Sequence, residues 1–376
     1  MALDADTFRQ ITETIDRFVR DRLIPAEAQV DEDNAIPPDI VSEMRDLGLF
    51  GLSIPEEYGG LGLTMVEEVE LAFRLGRASP AFRSLIGTNN GIGSQGILLD
   101  GTEQQKQTWL PRLASGEVIG SFALTEPDSG SDAASISLSA DPDGVDFILN
   151  GTKRYITNAP IAGLFTVMAR TDRTIEGAKG ITAFLVEGNT PGLSVGLPDR
   201  KMGQRGTKTA DVVFQNCRVP ASSIIGGIAG RGFSTAMKVL DRGRLHISAV
   251  CVGAAERLLD DALSFAMNRR QFNAPISEFQ LIQAMLADSR TELYAGKCMV
   301  MDAARRRDLG EAVSLEASCC KLYCSEMVGR VADRAVQIHG GAGYMADYPV
   351  ERFYRDVRLF RLYEGTSQIQ QLVIAR

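Results

Sequence analysis

Asp141-Pro142-Asp143-Gly144-Val145-Asp146-Phe147-Ile148-Leu149-Asn150-Gly151-Thr152-Lys153-Arg154-Tyr155-Ile156-Thr157 reads as a tight turn feeding a strand. Asp-Pro-Asp-Gly supplies turn conformations, and the residues from Asp146 to Thr157 are rich in β-branched and aromatic types. The same character runs through Val118–Thr125, Leu164–Ala169, Ile181–Val186, Leu193–Gly196 and Thr209–Phe214, which Gly, Pro, Asp and Asn divide. No helix of useful length fits between them. The pattern predicts an antiparallel sandwich or barrel, not a doubly wound sheet, and so withdraws the usual platform for NAD.

On both sides of this region the period is helical. Phe8, Ile11, Ile15, Phe18 and Val19, then Ile40, Val41, Met44 and Leu47, then Val66, Val69 and Phe73 recur at three and four. Ile36-Pro37-Pro38 and Pro55-Glu56-Glu57-Tyr58-Gly59-Gly60 punctuate them. Beyond Gly232 three long helical stretches run to about His339, broken near Phe272-Asn273-Ala274-Pro275 and Leu309-Gly310. The expectation is an α+β chain of three domains: an N-terminal helical domain over 1–117, a β domain over 118–228 and a long four-helix bundle over 229–376.

A net charge of −8 over 376 residues argues against a nucleic-acid partner, which needs a concentrated basic surface. The one basic run, Arg305-Arg306-Arg307, reads as the cationic end of a helix. Six cysteines form no CxxC pair or disulfide framework, and with two histidines, His246 and His339, no zinc site is expected. Cys319, Cys320 and Cys324 lie in an apolar helical segment and read as core residues. No apolar run approaches a membrane span, and Ala2-Leu3-Asp4-Ala5-Asp6 is acidic where a signal peptide is basic. The expected compartment is the cytoplasm of a bacterium or a mitochondrial matrix.

Gly91-Ile92-Gly93-Ser94-Gln95-Gly96 is a literal GxGxxG, but no β-rich run precedes it, so close packing of small residues is the expected role. Near the C-terminus, Tyr363-Glu364-Gly365-Thr366 precedes a helix whose start is read from Ser367 with Gln370 as a capping box. That reading puts Glu364 on a loop, where it can be aimed into a cavity, and a carboxylate kept from water there becomes a stronger base.

Phe122-Ala123-Leu124-Thr125-Glu126-Pro127-Asp128-Ser129-Gly130-Ser131-Asp132, Gly151-Thr152-Lys153-Arg154-Tyr155-Ile156-Thr157-Asn158, Gln337-Ile338-His339-Gly340-Gly341-Ala342-Gly343-Tyr344 and Tyr363-Glu364-Gly365-Thr366 together resemble the acyl-CoA dehydrogenase family, in order and over essentially the whole chain. The resemblance implies FAD, an acyl-CoA substrate and α,β-dehydrogenation, with Glu364 as the α-proton base. Some branches carry the base on the first long helix of the bundle, where this chain has Gly243. For FAD the resemblance implies Phe122, Leu124, Thr125, Gly130, Ser131, Tyr155 and Thr157, with Tyr155 standing where many members have Trp. It implies Arg269, Phe272, Gln280, Gln337 and Gly341 as contacts to the FAD of a neighbouring subunit, and Thr366 and Gln368 closing the site. Ser131, Asp241, Arg244, Tyr363 and Gly365 are implied on the acyl-CoA side. A homotetramer, a dimer of dimers, and an electron-transfer flavoprotein as acceptor follow from the same resemblance.

Phe82-Arg83-Ser84 falls where this family caps the distal end of the acyl chain, and it resembles the Tyr-Arg-Ser of glutaryl-CoA dehydrogenases. Arg83 and Ser84 are therefore expected to hold a far carboxylate, as in a glutaryl or adipyl thioester. Those enzymes also carry an acid seven residues earlier, where this chain has Gly76, so loss of CO2 is not expected. A short-chain monocarboxylyl-CoA dehydrogenase and a decarboxylating glutaryl-CoA dehydrogenase are the alternatives.

Overall fold

A computed structural model describes residues 3–175 and 177–376; the acidic start quoted above begins at Ala2, outside them. The N-terminal region is helical: α1 (Ala5–Phe18), α2 (Ile24–Asp33), α3 (Pro38–Asp46), α4 (Met65–Leu75), α5 (Pro80–Asn90), α6 (Gln95–Asp100) and α7 (Glu103–Ala114). A single wide π turn over Val19–Leu23 joins α1 to α2. Pro25 lies just beyond it in the first turn of α2, where its missing N–H is tolerated. Thr64 and Thr102 cap α4 and α7 with reciprocal boxes to Glu67 and Gln105.

Gly91–Gly96 links α5 to α6, both helices, so the dinucleotide geometry is absent. A Cβ on Gly93 would stand 2.7 Å from the Thr88 carbonyl oxygen, the close packing expected of it.

The β region comprises β1 (Gly120–Ala123), β2 (Ser139–Asp143), β3 (Asp146–Thr157), β4 (Leu164–Arg170), β5 (Ile181–Glu187), β6 (Leu193–Val195) and β7 (Thr209–Pro220). They form one 7-stranded sheet in the order β1-β4-β2-β3-β7-β6, with β5 paired to β4. The β2–β3, β3–β7, β4–β5 and β6–β7 pairs are antiparallel as expected. β1 runs parallel to β4, and so does the single β2–β4 register pair, because after the β2–β3 hairpin the chain crosses back to lay β4 between β1 and β2. Phe165, Val167, Phe184, Val186, Val212 and Phe214 form the core of this domain.

Three long helices follow: α8 (Gly232–Asn268), α9 (Gln280–Asp308) and α10 (Ser314–His339), with the two-residue strands β8 (Arg270–Gln271) and β9 (Ala274–Pro275) between the first two. The expected fourth long helix is replaced by α11 (Pro349–Val357) and α12 (Ser367–Ile374), both short and both packed on α10. Glycines at 340, 341, 343 and 365 interrupt the chain there. Arg305–Arg307 do end α9, and Cys320 and Cys324 are buried free thiols in α10, as read from sequence, whereas Cys319, read as core with them, is only half-buried because the next position on a helix turns about 100° away from the packed face. Among the described residues no helix is long and apolar enough to cross a membrane.

α4 docks on α8 through a buried cluster. Glu68 accepts from Arg242 and sits 2.7 Å from Nδ1 of His246. Burial pushes the Glu68 carboxyl up, but Arg242 and His246 outweigh it and hold the group at about 2. A carboxylate depressed in the folded state stabilises above its unfolded value, and that contribution is lost as pH falls from about 4.5 toward about 2. The thermal midpoint should therefore drop between about pH 5 and pH 3, and drop less in Glu68→Gln, as scanning calorimetry would show.

Candidate active site

The loop between α11 and α12 carries Glu364 at φ 54, in the left-handed region, and Gly365 at φ 92. A non-glycine residue there is held against its preference by its surroundings. Three contacts hold it. Gln370 donates through Nε2 to the Glu364 and Gly365 carbonyl oxygens, each at 3.1 Å, and Lys321 Nζ donates to the Gly365 oxygen at 2.6 Å. Sequence reasoning missed Lys321, although a lysine inside an apolar run was its signal; its side chain has no exposed surface. Burial lowers its pKa to about 8, with Cys251 and Glu364 opposing the fall.

The helix start differs by one residue from the sequence reading. Thr366 caps α12, accepting from Ile369 N at 3.2 Å, because the Ser367 hydroxyl donates to Glu326 at 2.6 Å. Gln370 is thereby freed from a capping box to clamp the Glu364 backbone.

Glu364 borders a cavity of about 400 Å³ between the three domains. The residue as a whole is partly accessible, but its Oε2 is buried and has no hydrogen-bond partner. Burial raises the pKa of the carboxyl, against the pull of Arg83, Lys321 and Arg244. Oε2 lies over α8 at Gly243, where a built Cβ would stand 2.4 Å away. The residue at 243 must be glycine for Glu364 to occupy this position. Gly243→Ala should displace the carboxylate and lower turnover about 10²-fold with helix content unchanged, a pairing that steady-state assay and circular dichroism check together.

The wall opposite is the β domain. Phe122, Leu124, Thr125, Gly130, Ser131, Tyr155 and Thr157 line the cavity from the end of β1, the following loop and β3. Two features aim them. Glu126 accepts from the Ser137 and Leu138 backbone at 2.6 and 2.9 Å and from Lys153 Nζ at 2.8 Å, fixing the loop that holds Thr125 and Ser131. A register shift in β3 between Lys153 and Ile156 puts Tyr155 at φ 58, with 59% of its surface exposed beside the cavity. Neither Lys153 nor Glu126 was picked out beforehand as a structural pair.

On the α5 side stand Arg83 and Ser84, and α8 contributes Arg244. Arg83 is 8% exposed, its Nε has no partner, and among the described residues no carboxylate forms an ion pair with it. The Ser84 hydroxyl donates to Gln204 Oε1 at 3.0 Å, which leaves it an acceptor. Arg244 pairs with Asp241 at 2.8 Å; Asp241 itself is not on the cavity wall. Tyr363 and Gly365 line the cavity, whereas Thr366 and Gln368 do not. Arg269, Phe272, Gln280, Gln337 and Gly341 also lie off it, on the β8–β9 turn, the start of α9 and the end of α10.

Three family models match the chain in order: the acyl-CoA dehydrogenase N-terminal domain over residues 5–117, the middle domain over 121–217 and the C-terminal domain over 230–376. The human mitochondrial short-chain specific acyl-CoA dehydrogenase is 40% identical over 98% of this chain and 89% of its own length. Butyryl-CoA dehydrogenase from Megasphaera elsdenii superposes with a TM-score of 0.95 at 33% identity, covering 100% of this chain and 99% of that one. A glutaryl-CoA dehydrogenase in complex with glutaryl-CoA gives 0.92 at 32% identity, over 100% and 95% of the two chains. With helical, β and helical domains matched in sequence and in space, the chain belongs to the acyl-CoA dehydrogenase family of flavoprotein oxidoreductases.

Proposed function

We propose that the chain oxidises an acyl-CoA thioester between its α and β carbons, with Glu364 removing the α-proton and FAD seated against the β-domain wall. The observation that carries this reading is Glu364 on the wall of the central cavity, with its carboxyl oxygen Oε2 buried and unpartnered. Desolvation makes that carboxylate a stronger base than a free one, as removal of a weakly acidic α C–H requires. Among the described residues nothing bonds the Glu364 N–H, so it can donate to the thioester oxygen as negative charge develops there. Lys321 and Gln370 fix the backbone that carries this N–H by bonding the Gly365 and Glu364 carbonyl oxygens.

Phe122, Leu124 and Tyr155 offer apolar surface, and Thr125, Ser131 and Thr157 offer hydroxyls along its edge, a set that suits a flat heterocycle with polar rims. When bound, FAD supplies the acceptor for the β-hydrogen and its electron pair. Arg244, kept in place by Asp241, is proposed to meet the CoA moiety. Phe272 is 90% exposed at φ 50, and Leu281 and Tyr344 are each 81% exposed, near the other residues proposed to reach a neighbour's FAD. That surface supports a homotetramer. An electron-transfer flavoprotein is the proposed acceptor.

The proposed substrate is a short or medium dicarboxylyl-CoA, glutaryl- or adipyl-like. A buried guanidinium without a partner costs on the order of 3–5 kcal/mol, which a substrate carboxylate would offset. Decarboxylation is not part of the proposal. Gly76 ends α4 against α8, and a Cβ there would lie 2.6 Å from the Val250 carbonyl oxygen, so that position has no room for an acid. The second reading, a short-chain monocarboxylyl-CoA dehydrogenase, is favoured by the 40% identity to the human short-chain enzyme. The purified protein should show a flavin spectrum that bleaches with substrate, faster with glutaryl- or adipyl-CoA than with butyryl-CoA. A colourless protein that takes up no added FAD would overturn the reading as a whole.

A further inference from the structure

Behind the central cavity lies a second, far smaller chamber of about 10 Å³, walled by Arg83, Glu364, Gly243 and His246 among others. It has room for one water molecule and nothing larger. Four buried polar atoms on its wall residues have no partner: Arg83 Nε, Arg242 Nε, Glu364 Oε2 and His246 Nε2. His246 is 4% exposed, and its other ring nitrogen lies 2.7 Å from Glu68 Oε1. Glu68, already held by Arg242, is an anion and accepts only, so the imidazole Nδ1 carries the hydrogen and Nε2 is left with a lone pair.

A single water has the groups to match three of these atoms: its oxygen can accept from the Arg83 Nε–H, and its hydrogens can go to Glu364 Oε2 and His246 Nε2. We propose that this chamber holds a bridging water and that His246, a positioning residue, exchanges protons with Glu364 through it. The proposal rests on Glu364 being the base.

After Glu364 has taken the α-proton, its carboxyl O–H gives that proton to the water oxygen while the water gives one of its own to His246 Nε2. The products are a carboxylate, a water and an imidazolium, with no net change of charge. The imidazolium is stabilised by Glu68 at Nδ1. Around the pair stand Arg83 from α5, Arg242 and Arg244 from α8, Arg307 from α9 and Lys321 from α10; Arg83 and Arg242 oppose a positive imidazole, and Arg83, Lys321 and Arg244 favour an ionised Glu364. Burial moves the two groups toward each other, the carboxyl up and the imidazole down. Side-chain exposure rises from 2% at Glu68 to 15% at Arg242, where the cluster meets solvent.

The test uses the FAD-loaded enzyme and a 3-thia-acyl-CoA, in which sulfur replaces the β-carbon so that no β-hydrogen can leave. Exchange of its α-hydrogens with D2O, followed by mass spectrometry, reports how fast the proton on Glu364 is replaced. His246→Gln can keep the bond to Glu68 but cannot carry a proton. It should slow exchange at least tenfold with unchanged ligand affinity, and Glu68→Gln should slow it in the same direction. Parental exchange rates in both variants would overturn the relay. Exchange that persists in Glu364→Gln would instead overturn the assignment of the base, a separate failure.

Discussion

Glu364→Gln should bind FAD and acyl-CoA yet turn over about 10²–10⁴-fold more slowly. The substitution keeps the shape of the side chain, and the contacts that hold the loop are made to backbone oxygens of residues 364 and 365, so they survive it. What disappears is the lone pair that accepts the α-proton. Rapid-mixing measurements of flavin bleaching would separate the chemical step from binding, and turnover near the parental rate would move the base elsewhere. In the parent enzyme, kcat/KM should fall as pH drops through the raised value of this carboxyl, hence above the range of an ordinary glutamate. The stability effect has the opposite sense. A carboxyl raised in the folded state favours folding at low pH and destabilises it as pH climbs through the folded value. Glu364→Gln should thus be at least as stable as the parent at neutral pH, the pattern of a group kept for chemistry at a cost to the fold.

The second large effect is expected at the other end of the acyl chain. Arg83→Ala should cost about 2–5 kcal/mol in kcat/KM for glutaryl- or adipyl-CoA, roughly 30- to several-thousand-fold. Butyryl-CoA has no distal charge for Arg83 to meet, and its turnover should change far less. The contrast matters because Arg83 also lowers the proton affinity of Glu364. A loss shared equally by both substrates would mean that Arg83 acts through the base, and better use of butyryl-CoA by the parent with dicarboxylyl activity intact in Arg83→Ala would sink the dicarboxylyl reading. Ser84 should contribute less than the sequence suggested, since its hydroxyl hydrogen is committed to Gln204.

Local patterns made much of the architecture legible. The breaks read at Phe272–Pro275 and Leu309-Gly310 fall between α8, α9 and α10, and the six β-like segments all reappear as strands. Proline, glycine and hydrophobic period act on neighbours in the chain, so a single sequence displays them. The parallel pairing of β1 with β4 was not legible. Strand direction depends on how the intervening chain crosses the sheet, which alternation does not encode. The helix start at Thr366 was misread for a similar reason: two hydroxyls compete for the cap, and Glu326 on α10 settles it by taking Ser367.

The sequence by itself determined the three-domain order, the family and the presence of an acid beside a glycine on a loop. Those rest on adjacent residues and on motifs whose spacing survives without coordinates. Only the tertiary structure decided that Oε2 of Glu364 has no partner, that Gly243 makes room for it and that Lys321 holds its loop. It alone brought Glu68 to His246, 178 positions apart, and left Arg83 buried without an ion pair. Burial and pairing are properties of what surrounds a side chain. Here those surroundings come from α4, α5, α8 and α10, which only folding brings together.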